Sequence, residues 1–468
     1  MQVKALGIFL GGTTSAHRIG VLLRYALAED AVIQRFVADE HFAERENAPV
    51  LSASLLADQP WQQRQLWQDY TSTLLNGKHS AINGWLLPAF FQNLLPEGVF
   101  RDHVAQLRGC HPKDHFEMLA ACGKDLPGNV YALPVELNTA QLQRYVTQEQ
   151  DTLELGMTAQ PMPQGVSLSG VQPKLAVSKA DGRYVARTKL GDTHLIAKLP
   201  VVGYPRLPEL EALSLEMAKA AGVRVCDAEL VPLNMLEAEH GYDLGESDTT
   251  TQFLAVHRYD RDQPGRVQCE DFCQVLGVWP EDKYTQGDYT QVAAVLLELF
   301  GEPGVHELLR RLLVNEMLGN SNMHLKNIGI RYPDGRTPEL PGAYDIVGYA
   351  SYGPHKGHAL PLLPRPTGGA LKPKVRAGTV QAASGYEQLT PMTLRKFCAL
   401  LNIPEKPAQA VLRRCAQAAV ETWPDMVQRS NITAQMKVNL LAHFEGHPAV
   451  ASLRVRLAKR LTGQSSAA

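Results

Sequence analysis

Arg311-Leu-Leu-Val-Asn-Glu-Met-Leu-Gly-Asn-Ser-Asn322-Met-His324-Leu-Lys326-Asn327-Ile-Gly-Ile330 is the stretch from which the rest of the chain is read. It begins as an apolar run with helical spacing, turns polar at Gly319 and Asn320, and becomes apolar again at Ile328. A buried helix ending in such a polar knot presents it to something. Asn322 and Asn327 stand five positions apart, the spacing of base and metal-binding amide in the D-x-x-x-x-N loop of phosphoryl-transfer enzymes. Here the first position is Asn instead of Asp.

Upstream lies a second polar cluster set among apolar residues. Ser167, Ser169, Gly170, Val171, Gln172, Pro173 and Lys174 precede a strand-like run, the turn pair Asp181-Gly182, and a second strand over 183–188. A further strand over 194–200 carries Lys198, and an amphipathic helix over 208–221 carries Glu209, Glu211 and Glu216 before Gly222 stops it. Downstream, 253–259 reads as a strand and 270–277, 289–300 and 305–318 as helices. The segment from 341 to 348 contains Tyr344 and Asp345, and helices resume over 390–401, 407–426, 432–445 and 449–462. The Gln-rich run over 138–151 suits a helix or a linker and places a soft boundary near 140–160.

The pieces fit the needs of phosphoryl transfer, which are positioned phosphates, a neutralising metal and a group that handles the acceptor proton. A loop over 169–174 can offer N–H groups and a lysine to phosphates. Lys198 can pair with phosphates and with a helix carboxylate, Glu211 being preferred over Glu209. Asn327 and Asp345 offer the oxygen ligands that Mg²⁺ favours. Residues 257–259 form a junction where backbone can read an adenine edge and Tyr259 can pack on it. Each piece alone also has a plain reading: a hairpin turn, a lysine reaching solvent, a structural histidine at 324, helix-capping asparagines. Cys269 and Cys273, read as one helical turn apart, suit a core. What lifts the chemical reading is the order in which the pieces occur.

Length and composition agree. The chain has 468 residues, enough for two or three domains. Its 46 basic and 48 acidic residues leave a formal charge of -2, with no broad basic field for holding nucleic acid or membrane. Seven scattered cysteines without a C-x-x-C pair argue for a reducing, cytoplasmic compartment. The apolar stretch near the N-terminus is too short to span a bilayer.

Taken together, several motifs resemble those of the HipA-like serine/threonine kinase toxins. They are Ser167-Leu-Ser169-Gly-Val-Gln-Pro-Lys174, Ala197-Lys198-Leu-Pro, His257-Arg-Tyr-Asp-Arg261, Glu270-Asp-Phe-Cys-Gln274, Asn322-Met-His-Leu-Lys-Asn327 and Ala343-Tyr-Asp345. Phe91-Gln-Asn-Leu-Leu-Pro-Glu-Gly98 and Gly123-Lys-Asp-Leu-Pro-Gly128 resemble that family's extra N-terminal subdomain. The resemblance implies an α+β, bilobal kinase-like fold with a mostly helical C-terminal lobe. Expected units are 1–145 (N-terminal subdomain), 146–256 (small lobe with phosphate loop) and 257–468 (helical lobe with catalytic loop). It implies transfer of the ATP γ-phosphate to a protein serine, an aminoacyl-tRNA synthetase being the expected substrate, followed by growth arrest. It also implies a helix-turn-helix antitoxin through which DNA is met indirectly, and no membrane.

Carried over by position, the nucleotide site comprises Ser169, Gly170, Val171, Gln172, Pro173, Lys174, Lys198, His257, Arg258, Tyr259, His324, Lys326, Asn327, Tyr344 and Asp345. Asn327 and Asp345 hold Mg²⁺, and Ser167 and Ser169 are the autophosphorylation positions, where added charge would expel the loop from the site. Two positions depart from the pattern: His257 stands where an acid is common, and Asn322 stands at the catalytic Asp. An amide has no basic lone pair for the acceptor proton, so the chain is expected to be nearly inactive. Either a toxic kinase has been silenced at this position or the chain is a natural pseudokinase acting as a scaffold for antitoxin and DNA. A small-molecule kinase is a further alternative.

Overall fold

The computed structural model describes residues 2–11, 16–28, 31–43, 45, 48–69, 71–80, 84–138, 154–155, 172–186, 193–238, 242–245, 247–261, 265–355, 357–365 and 388–465. The expected linker and the loop carrying Ser167, Ser169, Gly170 and Val171 lie outside these residues, apart from the short strand Glu154–Leu155.

The fold is α+β. In the N-terminal sheet the strand Gln2–Leu10 pairs antiparallel with His17–Ala28 on one side and Val130–Pro134 on the other, while Ala31–Ala38 extends the sheet. Side chains alternate along a strand. Leu6, Ile8 and Leu10 therefore enter a core with Phe36, Phe90, Phe91 and Phe116, while Val3 and Ala5 join Val21, Leu23 and Leu137. Each fully buried side chain of this kind contributes roughly 1.5–3 kcal/mol.

A second sheet has six strands in the order Ala228–Pro232, Gln252–His257, Leu195–Lys198, Lys174–Ala180, Arg183–Ala186 and Leu236–Glu237. Its hairpin turns at Asp181 and Gly182, both at positive φ (48° and 77°), the geometry a two-residue turn needs. The helix Leu207–Ala220 begins with Pro208 in its first turn and carries Glu211 toward this sheet, while Glu216 faces solvent.

Beyond it the chain is mostly helical. The long helix Tyr289–Leu318 starts on a capping box between Asp288 and Gln291 and is broken at Gly301 (φ 64°, ψ -164°). It ends at Gly319, whose φ of 67° turns the chain, and where an added Cβ would meet that of Ala350 at 2.8 Å. Gly319 thus serves both as the left-handed cap and as a point of close approach. Pro391–Leu400, Glu405–Arg429, Ala434–Gly446 and Pro448–Ser465 complete the lobe.

One helix expectation is corrected. Gln268–Asp271 is a strand paired with Gly329–Tyr332, and only Phe272–Val275 is helical. The reason is local, because Asp271 and Gln274 form a reciprocal capping box that starts the helix one residue after the strand. Cys269 and Cys273 therefore sit on different elements, both buried, and all seven cysteines are free.

The N-terminal unit is bonded to the helical lobe along this same region. Glu270 accepts from the Ala53 amide at 2.8 Å, Gln268 donates to Leu51 O at 2.8 Å, and Trp279 donates to Leu87 O at 2.8 Å. No described helix is long and apolar enough to cross a membrane.

Candidate active site

The site is built where the second sheet faces the polar knot. Antiparallel pairing sets Lys174 directly opposite Lys198. Two like charges so placed repel unless acids draw them together. Here the Lys198 ammonium reaches Glu211 Oε1 at 2.5 Å and Asp345 Oδ1 at 2.6 Å. Glu211 is completely buried, whereas Glu209, two residues earlier, pairs with Arg206 at 2.8 Å.

Burial opposes the charge on Lys198, but Asp345 and Glu211 overcome it and hold the ammonium firmly protonated. Burial likewise works against Asp345, yet Lys198 keeps its carboxyl well below the usual range. Burial lifts Glu211, with Lys198 countering. Lys174 is pulled down to about 8, chiefly by burial, with Asp345 opposing and Lys198 adding to the fall.

Asp345 adopts a left-handed backbone (φ 59°), a conformation that costs free energy outside glycine and is typical of functional positions. The Asn327 amide donates to Asp345 Oδ2 at 3.0 Å and to the Asn322 carbonyl at 2.8 Å, closing the loop across the five-residue spacing. Asn320 supports the knot by donating to Asn315 Oδ1 at 2.6 Å and accepting from the Asn322 amide at 3.1 Å. Asn322 Oδ1 accepts from the Tyr284 hydroxyl. His324 is buried and packs edge-on to Tyr284 at 4.7 Å; burial, with Lys283, lowers it to about 3, leaving a neutral ring.

Among the described residues no group of three His, Cys, Asp or Glu is placed to hold a metal. Asp345 and Asn327 lie side by side, at present with the amide N–H toward the carboxylate; the donor set, one carboxylate and one amide oxygen, fits Mg²⁺, which uses few protein oxygens and completes its shell with phosphates and water. The metal would neutralise charge developing on a transferred phosphoryl group.

Other expected residues are placed differently. Gln172 donates to Leu199 O at 3.4 Å, and Pro173 O accepts from the Leu199 amide at 2.9 Å, which fixes the loop's exit. Tyr259 stacks on Tyr344 with ring centroids 5.4 Å apart, and Tyr344 donates to the Lys326 carbonyl at 2.9 Å. His257 is exposed at its strand end. The Lys326 ammonium points away from Asp345: it bonds Asp271 at 2.7 Å and both Asn93 O and Asn93 Oδ1 at 3.0 Å. Arg258 is buried with Asp260 at 2.9 Å and Thr193, and Asp260 in turn receives Arg261 at 2.6 Å and the Gly128 amide at 2.8 Å. Neither the Lys326 nor the Arg258 side chain is brought to the Lys198 cluster.

Sequence reasoning missed Asn93, Glu97, Asp271, Lys283 and Tyr284. Lys283 pairs with Glu97 at 2.7 Å. Asn93 and Glu97 fall inside the Phe91-to-Gly98 motif and Asp271 inside Glu270-to-Gln274, which are usable signals, whereas Lys283 and Tyr284 carry none.

Two family models match: "HipA-like C-terminal domain" over residues 166–423 and "HipA N-terminal domain" over residues 13–133. The chain belongs to the HipA-like family. Two Sinorhizobium fredii relatives are named "Putative kinase Y4dM" and "Putative kinase Y4mE". The first is 35% identical over 321 residues, covering 68% of this chain and 72% of the relative. The second is 30% identical over 286 residues, covering 56% and 64%. In overall structure the chain is similar to HipA of Shewanella oneidensis MR-1, solved with HipB and its operator DNA. The TM-score is 0.61 at 20% identity, covering 94% of this chain and 96% of that one. This likeness supports the fold, a small-lobe sheet joined to a helical lobe in the kinase manner.

Proposed function

We propose that this HipA-like chain has the apparatus of an ATP-dependent serine/threonine protein kinase toxin, held nearly inactive by Asn322. The observation that carries the reading is the convergence of Lys198, Glu211, Asp345 and Asn327, in which one ammonium and one amide bracket a single carboxylate. Lys198 and Lys174 would meet the phosphates, Asn327 and Asp345 would hold Mg²⁺, and the backbone of 257–259 would meet adenine. The stack of Tyr259 and Tyr344 gives that junction a rigid wall. The units would divide as 1–145, 146–256 and 257–468. Ser167 and Ser169 would be the autophosphorylation sites, an aminoacyl-tRNA synthetase the substrate and the cytoplasm the compartment. A helix-turn-helix antitoxin would supply the contact with DNA; the HipB and operator in the Shewanella complex support such a pairing.

The test is Asn322→Asp. Restoring a carboxylate that can take the acceptor proton should raise transfer by about 10²–10⁴-fold, read as ATP-dependent phosphate on Ser167 or Ser169 by intact mass. A variant that binds Mg-ATP and phosphorylates nothing overturns the reading. Asn322 itself favours a second reading, a natural pseudokinase that serves as a scaffold for antitoxin and DNA. Antitoxin binding retained by that same silent variant would support it.

A further inference from the structure

Residue 322 is where the acceptor hydroxyl would bond during transfer, and in this molecule a hydroxyl already occupies that position. The Tyr284 phenol donates to Asn322 Oδ1, while the Asn322 backbone is fixed by the amides of Asn320, His324 and Asn327. The ring of Tyr284 lies edge-on to buried His324 at 4.7 Å. Its outer edge reaches solvent: the residue is 38% exposed, so the phenol stands between Asn322 and the exterior.

Tyr284 belongs to a short turn that the N-terminal unit grips at three points. Trp279 donates to Leu87 O at 2.8 Å, Gln92 donates to Glu281 at 3.0 Å, and Lys283 pairs with Glu97 at 2.7 Å. Glu97 has one oxygen, Oε1, buried without a partner. A carboxylate left half-bonded in the interior is costly; here it anchors the lysine next to the tyrosine. On the far side, Gly287 (φ 85°) turns the chain into the helix capped by Asp288.

We infer that Tyr284, Asn322 and His324 form the acceptor-hydroxyl subsite, and that the Tyr284 phenol fills it at rest as a stand-in for the hydroxyl of an incoming side chain. This rests on the kinase reading above and adds the acceptor side of that site. An acceptor hydroxyl makes the same O–H donation to residue 322 and displaces the phenol. Until one arrives the phenol keeps water from that position, which prevents transfer to water. The Glu97–Lys283 pair holds the turn, so the N-terminal unit sets how readily the subsite opens.

The experiment compares Asn322→Asp with the double variants Asn322→Asp/Tyr284→Phe and Asn322→Asp/Glu97→Gln, measuring ATP hydrolysis and Mg-ADP affinity. Removing the phenol hydroxyl should raise hydrolysis by about 10-fold with ADP affinity within about 2-fold. Glu97→Gln should raise it by a smaller factor. Hydrolysis unchanged or reduced by Tyr284→Phe, while autophosphorylation persists, overturns the inference. A second measurement uses the chain as it stands. Tyr284→Phe should lower the urea midpoint in the Asn322 chain and leave it unchanged in Asn322→Ala; equal shifts in both backgrounds overturn the contact and the inference with it. An Asn322→Asp protein that binds Mg-ATP yet transfers phosphate to neither itself nor water overturns the kinase reading, and the midpoint comparison still decides whether Tyr284 holds residue 322.

Discussion

Lys198 and Lys326 are both buried lysines that follow an apolar residue, and the structure gives them opposite surroundings. Lys198 is clasped by Glu211 and Asp345, and the Asp345 side chain remains 31% exposed, so that cluster keeps one side open to solvent. Lys326 is taken by Asp271 and by the main chain and side chain of Asn93, behind the loop and inside the contact with the N-terminal unit. The first arrangement leaves a charged cluster partly open, as the proposed phosphate site requires; the second spends its hydrogen-bonding capacity on holding two units together. A lysine's role thus follows from whether its partners leave a face open.

The comparison breaks most clearly through paired substitutions. Lys326→Met leaves Asp271 and Asn93 without their buried cation and should cost about 3–5 kcal/mol of stability, measured by urea unfolding, with Mg-ADP affinity of the surviving folded protein within a few-fold. Lys198→Met should do the reverse. It should weaken Mg-ADP binding by about 30-fold or more, measured by calorimetry, while costing about 1–2 kcal/mol of stability. The smaller cost follows because Asp345 regains water and Glu211, already lifted by burial, takes a proton. Equal stability losses for the two would end the distinction.

A second difference concerns pH. Glu270, at the contact with the N-terminal unit, is pushed up to about 7 by burial, against hydrogen bonds from Ser52, Tyr332 and Ala53. In the unfolded chain its carboxyl ionises near 4.5. Between these values the folded state binds more protons than the unfolded, so stability falls as pH rises from 4.5 to 7 and is flat above. The Glu270 contribution is on the order of 3 kcal/mol, and Glu270→Gln should flatten the dependence of Tm on pH across that window.

On the open side the smallest effect is expected from Lys174. Its folded value of about 8 lies below the ordinary 10.5, so the folded state sheds this proton first and, for this group alone, stability rises from pH 8 to 10.5. Binding an anion works in the opposite sense, since the free site must take up a proton above pH 8. Mg-ADP affinity should therefore fall several-fold between pH 8 and 9.5, and Lys174→Met should remove that dependence. A flat profile in the unsubstituted chain would place Lys174 outside the phosphate site.

Much of the molecule is legible from local signals. The turn at Asp181-Gly182, the helix stop at Gly319, and the choice of Glu211 over Glu209 follow from short-range rules of backbone conformation and side-chain periodicity. The sequence singles out Asn327 and Asp345 as oxygen ligands, but three acids (Asp334, Glu339 and Asp345) follow that asparagine, and it is the fold that brings Asp345 within 3.0 Å of the Asn327 amide. The helix expected from 270 begins only at Phe272 because Gln268-Cys-Glu-Asp271 is short and mostly polar, with no periodicity of its own, and the ladder partner that makes it a strand, Gly329–Tyr332, lies some sixty residues away.

By itself, then, the sequence determined the order of elements, the resemblance to the HipA-like family, and the set of polar residues available for phosphoryl transfer. Only the tertiary structure decided that Lys326 and Arg258 turn their side chains into buried networks with Asp271 and Asn93, and with Asp260 and Thr193. It also decided that Tyr284 reaches Asn322. The physical reason is that a charged or polar side chain takes whichever partner folding brings within hydrogen-bonding distance in a low-dielectric interior. For Lys326 that partner, Asn93, stands 233 residues away along the chain, beyond the reach of any local pattern.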